Sequence, residues 1–231
     1  MAKQTFARRA ARWFVKGLVI FIIGSVVWVG LYRVLPPPIT VTMLANAVDG
    51  RGITKDWMAL DEMSPNMARA AIAAEDGNFC SHFGFDFNAM QNALRSNFQG
   101  ERRIRGGSTI SQQTAKNAFL WQNGGYLRKG LEAWFTLLIE LTWPKSRIME
   151  VYLNVAETGL GTYGANAGAM RYFRHDATRL TRAEAARIAA VLPLPKKRAA
   201  VAPTGYTKRY GNKIHRRMGQ VSRYGLDSCL L

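Results

Sequence analysis

An uncharged stretch, residues 17–32, constrains the fold of this chain more than any other feature. It lies within a largely apolar segment, residues 13–35. A helix needs about 20 such residues to cross the hydrocarbon core of a bilayer. Trp13, Trp28 and Tyr32 lie near the ends of the segment, where amphipathic rings favour the membrane interface. The sequence therefore predicts a single membrane-spanning helix at residues 13–35.

The charges around this segment predict its orientation. The formal net charge of the chain is +17, and several basic residues precede the apolar run: Lys3, Arg8, Arg9 and Arg12. Positive charge is retained on the cytoplasmic side, so residues 1–12 are predicted to be a basic cytoplasmic tail. A cleaved signal peptide is the alternative, but the small-x-small sequence at residues 45–47 lies too far beyond the apolar run.

The rest of the chain is predicted to be a linker, residues 36–55, followed by one globular domain, residues 56–231. This part is also basic, which favours an anionic partner such as nucleic acid, acidic lipid head groups or a phosphorylated substrate. The outward orientation argues against nucleic acid. The sequence contains no zinc-like Cys/His spacing and no Walker-type loop.

Helix signals dominate the globular part, so the sequence predicts a mainly helical, all-α fold. Ser64-Pro65 and the Thr181/Glu184 capping box mark helix starts. Glycine-rich loops are expected at residues 101–107 and 159–168, and only residues 39–48 favour a strand. A helix ending before Pro144 is predicted to bury one apolar side, formed by Leu131, Phe135, Leu138, Ile139 and Leu141.

The two cysteines, Cys80 and Cys229, lie far apart in sequence. Pairing cannot be read from spacing, so two unpaired thiols are expected. A disulfide remains open if the domain is extracytoplasmic.

A first cluster of chemically useful residues lies in AAEDGNFCSHFGFD, residues 73–86. Glu75 follows an apolar, alanine-rich helix, where partial burial would raise its pKa and suit it as a base; the alternative is a solvated helix-end acid. Asp76 either orients the site or holds local structure. Phe79 either walls the pocket or belongs to the core. His82 either donates to a carboxylate or holds the loop.

A second cluster lies in GGSTISQQTAKN, residues 106–117. Gly106 and Gly107 allow close backbone approach, and the N–H groups at the start of the following helix predict an anion site. Thr109, Gln113 and Lys116 share one helix face. The alternative is an ordinary capped helix with a solvated lysine.

A third cluster comprises Arg128, Lys129 and Glu132. Arg128 and Glu132 lie one helical turn apart on one face. On spacing alone they would form an ordinary salt bridge, worth about 0.3–0.5 kcal/mol.

These clusters resemble the signature motifs of the peptidoglycan glycosyltransferases, glycosyltransferase family 51. The first family motif, roughly E-D-x-x-F-x-x-H-x-G-x-D, fits residues 75–86. The second, roughly G-G-S-T-[IL]-[ST]-Q-Q-x-x-K-N, fits residues 106–117, and R-K-x-x-E fits residues 128–132. The resemblance covers roughly residues 60–195. It implies a bilobed, lysozyme-like glycosyltransferase domain behind one membrane anchor.

The resemblance also implies roles for individual residues. It makes Glu75 the general base, and Glu132 a catalytic residue that assists at the pyrophosphate. The substrate-binding positions are Asp76, Phe79, His82, Ser108, Thr109, Gln112, Gln113, Lys116, Asn117, Arg128 and Lys129. No cofactor is required and no metal-ligand set is expected, although a divalent cation, Mg or Mn, is an open alternative at the donor pyrophosphate.

The implied reaction polymerises lipid II into β-1,4-linked glycan strands with inversion, releasing undecaprenyl diphosphate. The implied place is the bacterial inner membrane, with the catalytic domain periplasmic. The implied partners are lipid II, the growing lipid-linked glycan, the membrane and cell-division or cell-wall synthesis proteins. Transpeptidase activity is not expected, because no serine is followed by a lysine three positions later.

Two alternatives stay open on the residues alone. In a glycan-cleaving lytic transglycosylase or lysozyme relative, Glu75 would be a general acid. A non-enzymatic membrane protein would use its basic surface to bind acidic lipid. The chain also departs from the family pattern Tyr-Phe-Gly-Lys, because Arg174 and His175 follow Tyr172 and Phe173, which puts the shape of that turn in doubt. Either Arg174 or Arg171 is expected to supply the positive charge there.

Overall fold

The computed structural model describes residues 2–98 and 107–230, and the chain divides into two units, Met1–Leu35 and Pro36–Leu231. Helix α1, Ala2–Val34, makes up the first unit. Among the described residues it is the one helix long and apolar enough to cross a membrane. The predicted apolar segment is therefore a continuous helix.

The second unit is built mainly from helices, as the sequence predicts. A small three-stranded sheet has the order β1-β3-β2, with β1 parallel and β2 antiparallel to β3. Its strands are β1 Thr54–Lys55, β2 Glu157–Gly159 and β3 Thr162–Tyr163. The helices are α2 Val41–Val48, α3 Pro65–Glu75, α4 Phe87–Phe98, α5 Ile110–Phe119, α6 Gly125–Thr142, α7 Lys145–Val155, α8 Ala165–Phe173, α9 Arg182–Val191 and α10 Gly205–Arg223.

Local sequence signals set most helix starts. The capping box of Thr181 and Glu184 begins α9, and Pro65 occupies the first turn of α3. Asp86 caps α4 by accepting a 2.8 Å hydrogen bond from the Ala89 N–H. Ser64 does not cap α3, because its hydroxyl instead donates to the Leu180 carbonyl at 2.8 Å and ties α3 to the loop before α9.

Two groups of helices surround the candidate site. Helices α3, α9 and α10 pack on one another, and α5 packs against α6 and α7. The alanine-rich sequences of α3 and α9 bury small side chains such as Ala70, Ala71 and Ala189 completely. Small residues let the backbones of α3 and α9 approach closely.

Two expectations about local structure are wrong, and a third lies outside the described residues. Residues 41–48 are helix α2 rather than a strand, with Thr40 as its N-cap, so the predicted linker contains a helix. The glycine-rich segment at 159–168 is not a plain loop, because it contains β3 and the start of α8. The predicted end of α4 at Gly100 and the basic loop at 101–106 lie outside the described residues.

Of the predicted buried side of α6, Phe135, Leu138 and Ile139 are buried, but polar side chains are buried as well. Leu141 is 63% exposed, whereas Glu132, Thr136 and Glu140 are buried at successive four-residue intervals. These three share one face of the helix. A polar face turned inward indicates that this side of α6 carries a site rather than ordinary core.

Cys80 and Cys229 form a disulfide, with their Cα atoms 5.5 Å apart, so the expectation of two unpaired thiols is wrong. The Arg69 Nε lies 2.7 Å from the Asp227 carboxylate and holds the same C-terminal segment against α3. The fold brings together two positions 149 residues apart, which no local signal could have paired.

Arg174 ends helix α8 in the left-handed conformation, with φ of 63°. Glycine adopts this conformation without steric penalty and arginine does not. The turn that the departure from the family pattern put in doubt therefore keeps a glycine-type shape. Arg174 is exposed, and Arg171 binds the Leu160 carbonyl and the Thr162 hydroxyl beside the small sheet.

Candidate active site

Glu75 is the last residue of α3 and is half-buried. The Gln113 side-chain amide on α5 donates a 2.9 Å hydrogen bond to its carboxylate. Burial raises the pKa of the Glu75 carboxyl, while the Gln113 hydrogen bond and the charges of Lys116 and Arg198 partly offset that rise. Such a carboxylate accepts a proton more readily than a solvated one, as a general base requires.

Asp76 joins the first and second sequence clusters. Its buried carboxylate accepts a 2.9 Å hydrogen bond from the Ile110 N–H at the start of α5. The His82 Nε2 lies 3.0 Å from both carboxylate oxygens. These contacts support the alternative in which Asp76 and His82 hold local structure.

Groups of the chain itself bind the N–H groups at the start of α5, where the sequence predicts an anion site. Thr109 and Gln112 form a reciprocal capping box there. The Thr109 hydroxyl also donates to the Gly84 carbonyl at 2.6 Å. The Asp76 carboxylate accepts from the Ile110 N–H, so the N-terminal end of α5 makes hydrogen bonds that stabilise the fold. Gly107 likewise faces protein, since a Cβ there would lie 3.1 Å from the Met90 Cα; Gly106 lies outside the described residues.

A buried network supports the loop that follows Glu75. The Lys145 ammonium donates to the Glu140 carboxylate at 2.7 Å and to the His82 carbonyl at 2.8 Å. It also lies 4.7 Å from the centroid of the Phe79 ring. The Ser111 hydroxyl donates to Glu140 as well. Phe79 is completely buried, so it belongs to the core rather than to a substrate-contacting wall.

Arg128, Lys129 and Glu132 converge on α6. Glu132 is 2% exposed, and Arg128 Nη1 donates to its Oε2 at 2.6 Å while Lys129 donates to its other oxygen. The Lys129 ammonium also lies 3.3 Å from the Ser108 hydroxyl, which links this group to the second cluster. The Glu132 carboxylate is thus buried and held by two cations, whereas spacing alone favoured an ordinary salt bridge.

Lys116 connects these cations to Glu75. Burial lowers the pKa of its ammonium; the charge of Glu132 opposes that shift, and the charges of Arg128 and Lys129 reinforce it. The charge of Glu75 also acts on Lys116. The base candidate and the three cations therefore share one electrostatic environment.

Gln113 is related to two cavities. The larger, about 340 Å³, is lined by Gln113, Lys116, Asn117 and residues of the segment after α9. The smaller, about 140 Å³, is lined by Glu75, Asp76, Ser108 and Thr109. Gln113 lines the first and donates to Glu75 in the second, so its side chain joins the two halves of the site.

Sequence reasoning missed the contribution of the segment after α9. Lys196 and Lys197 line the larger cavity. The charge of Arg198 acts on Glu75, and its guanidinium lies 4.9 Å from the Tyr206 ring centroid. No motif signalled these residues; only the density of basic residues after the prolines of this segment could have suggested them.

The donor set near Lys116 does not fit a metal ion. Both oxygens of Glu132 are already bonded to cations, and a divalent ion there would be repelled by Lys116, Arg128 and Lys129. Within the described ranges, no group of three His, Cys, Asp or Glu side chains could hold a metal ion.

Comparison with known proteins gives one consistent match. The family model described as Transglycosylase matches residues 42–219. A protein of Caulobacter vibrioides is 52% identical over 226 residues, covering 97% of this chain and 98% of the relative. Relatives from Xanthomonas campestris pv. campestris strain B100 and Bdellovibrio bacteriovorus are 46% and 43% identical, covering 95% of this chain and 92% and 90% of their own lengths. All three are named biosynthetic peptidoglycan transglycosylase.

Proposed function

This chain belongs to the transglycosylase family, as a peptidoglycan glycosyltransferase that polymerises glycan strands, and we propose that it acts on lipid II with Glu75 as its base. The observation that carries the proposal is a carboxylate of raised pKa joined through Gln113 to a cavity lined by Lys116. A base beside cations suits transfer from a diphosphate-activated sugar.

In the proposed step, the C4 hydroxyl of one lipid II attacks C1 of the growing lipid-linked chain. Glu75 takes the hydroxyl proton as the new C–O bond forms, because an alcohol is a poor nucleophile at neutral pH. The bond between C1 and the pyrophosphate oxygen breaks, and undecaprenyl diphosphate leaves with the electron pair. One displacement of an α-linked donor gives a β-1,4 linkage, without a covalent glycosyl-enzyme.

The leaving diphosphate gains charge as its bond to C1 breaks, so fixed cations stabilise the transition state. We assign this role to Lys116, Arg128 and Lys129, with Ser108 and Asn117 as further polar contacts. Glu132 orients Arg128 and Lys129 through its two carboxylate oxygens, so it acts through them rather than on the sugar. Thr109, Gln112, Asp76 and His82 then hold the site rather than contact substrate.

The same three cations determine whether the reaction needs a metal cofactor. They supply the positive charge that Mg or Mn would otherwise bring to the diphosphate, and they disfavour a resident metal site between Glu132 and Lys116. We therefore propose a reaction in which the protein's own side chains neutralise the leaving group.

The lytic alternative would also use a glutamate of raised pKa, but as an acid. Cleavage of a neutral glycosidic bond develops no diphosphate and has no use for Lys116, Arg128 and Lys129 at the site. The cation group therefore favours synthesis. The absence of an S-x-x-K nucleophile from the sequence supports the expectation of no transpeptidase activity.

We further propose that α1 spans the bacterial inner membrane, with residues 1–12 cytoplasmic and the catalytic unit periplasmic. The disulfide supports this orientation, since such bonds persist in oxidising compartments. The membrane would supply both lipid-linked substrates, and cell-division or cell-wall synthesis proteins would be its protein partners; nucleic acid would not.

The test uses purified full-length protein, lipid II and product analysis by gel and mass spectrometry. Wild type should form glycan polymer that penicillin does not affect. Glu75→Gln should reduce the rate by at least about 10²-fold with an unchanged circular dichroism spectrum. The exposed Glu62→Gln is the matched control and should retain activity. Full activity of Glu75→Gln would remove Glu75 from the role of base.

A further inference from the structure

A second cationic cavity lies between helices α9 and α10, apart from the catalytic cleft. Its volume is about 420 Å³, and its lining includes three basic residues and no acidic one: Arg187, Lys208 and His215. Asn212 adds an amide to the same wall. The volume falls in the range of small-molecule sites.

None of these three basic side chains has a carboxylate partner within ion-pair distance in residues 2–98 and 107–230. Arg182 adds a further positive charge nearby, since its guanidinium donates to the His215 carbonyl at 3.3 Å. Unopposed like charges destabilise a compact state through repulsion. A bound anion would remove that repulsion.

The cavity is on a different side of α10 from the catalytic residues. Tyr206 and Tyr210 face Arg198, and the Tyr210 hydroxyl donates to the Ala74 carbonyl, next to Glu75. Lys208, Asn212 and His215 recur at four- and three-residue intervals and so share another face of the helix. Occupation of this cavity would therefore not require the catalytic cleft.

The backbone that closes the cavity is strained. Ala202, which lines it, has φ of 43°, in the left-handed region that is unfavourable for a residue other than glycine. Residues held in such conformations cluster at ligand sites. This strain is independent of the charges and falls on the same cavity.

We propose that this cavity binds a phosphate ester. The arginine fork, the ammonium, the imidazole and the Asn212 amide match the several acceptor oxygens of a phosphate. The cavity has room for the esterified group as well as the phosphate. Soluble glycerol phosphate and the head group of phosphatidylglycerol share this chemistry.

Lysine footprinting of the full-length protein distinguishes the sources and tests the site. Amine acetylation at Lys208 and at Lys213 is measured by mass spectrometry at low ionic strength, in detergent with or without glycerol 3-phosphate. It is repeated in vesicles of phosphatidylcholine with or without phosphatidylglycerol. Lys213 is the matched control, since it is exposed on the same helix and does not line the cavity.

Several-fold protection of Lys208, but not of Lys213, is expected in at least one arm. Protection by glycerol 3-phosphate identifies a soluble ligand, and protection by phosphatidylglycerol alone identifies the lipid. Arg187→Ala, an exposed substitution, should abolish that protection while Arg209→Ala preserves it. Equal protection of both lysines, no protection in either arm, or unchanged protection in Arg187→Ala would overturn the proposal.

Discussion

The Asp76 carboxylate accepts a hydrogen bond from the Ile110 N–H at 2.9 Å, across 34 residues of sequence. This contact fixes the end of α3, and with it Glu75, to the start of α5, which carries Gln113 and Lys116. It also places a negative charge at the positive end of a helix, where it is stabilised. The distance between base and cations is thus set by a residue that need not touch substrate.

The pH dependence of kcat/KM should be bell-shaped. The pKa of Glu75 is raised from 4.5, so activity should fall with decreasing pH while the solution is still above that value, as Glu75 takes up a proton. The pKa of Lys116 is lowered from 10.5, so activity should fall with rising pH before that value, as Lys116 loses its charge. Initial rates of polymerisation over this range check both limbs. An acid limb centred at or below pH 4.5 would contradict the assignment of Glu75.

Gln113→Met should move the acid limb alone. The amide hydrogen bond lowers the pKa of Glu75, so its loss should raise that pKa further and shift the limb to higher pH. Initial rates of polymerisation over the same pH range measure this shift. Gln122→Met is the control, because Gln122 lines the larger cavity and bonds Thr42 and Asn117 rather than Glu75. A limb that stays in place would show that Gln113 does not tune the base.

Asp76→Ala should lower the free energy of unfolding by about 2–4 kcal/mol, because the Ile110 N–H and the His82 ring lose a charged acceptor in a buried place. Urea unfolding followed by circular dichroism measures it. The exposed Asp61→Ala should change it by less than about 0.5 kcal/mol. Equal effects of the two substitutions would mean that the contact does not hold the site together.

Removal of the disulfide should lower the free energy of unfolding by about 2–4 kcal/mol, since the cross-link restricts a long loop in the unfolded chain. Thermal unfolding with and without a thiol reductant measures the effect. Wild type should lose stability on reduction, while the double variant Cys80→Ser, Cys229→Ser should start lower and not respond. If reductant also destabilised the double variant, the loss of stability would not come from the Cys80–Cys229 disulfide.

Arg174→Gly should raise the free energy of unfolding by about 1 kcal/mol, because glycine adopts the positive φ at the end of α8 without strain. Arg216→Gly, within α10, should lower it by about 1 kcal/mol. Urea unfolding compares the two. If both substitutions lowered the free energy of unfolding, the left-handed conformation of Arg174 would not be a source of strain.

The sequence predicted the helical fold and the residues of three clusters because caps, prolines and apolar periods act over a few residues. It could not predict that Asp76 occupies the start of α5, which depends on packing between α3 and α5. Lys196 and Arg198 reach the site only because α9 and α10 fold back beside α3. Leu141 was predicted to be buried because nothing in the sequence indicates that Glu132 and Glu140 of α6 are buried instead.

The Glu140–Lys145 ion pair has a consequence for how this region can evolve. Losing either partner leaves an uncompensated charge in a buried place, at a cost of about 3–5 kcal/mol. The two positions are therefore expected to be inherited as a unit. If Glu140 is replaced in a relative, we expect Lys145 to be replaced too. The hydrogen bond from Lys145 to the His82 carbonyl would then be lost as well.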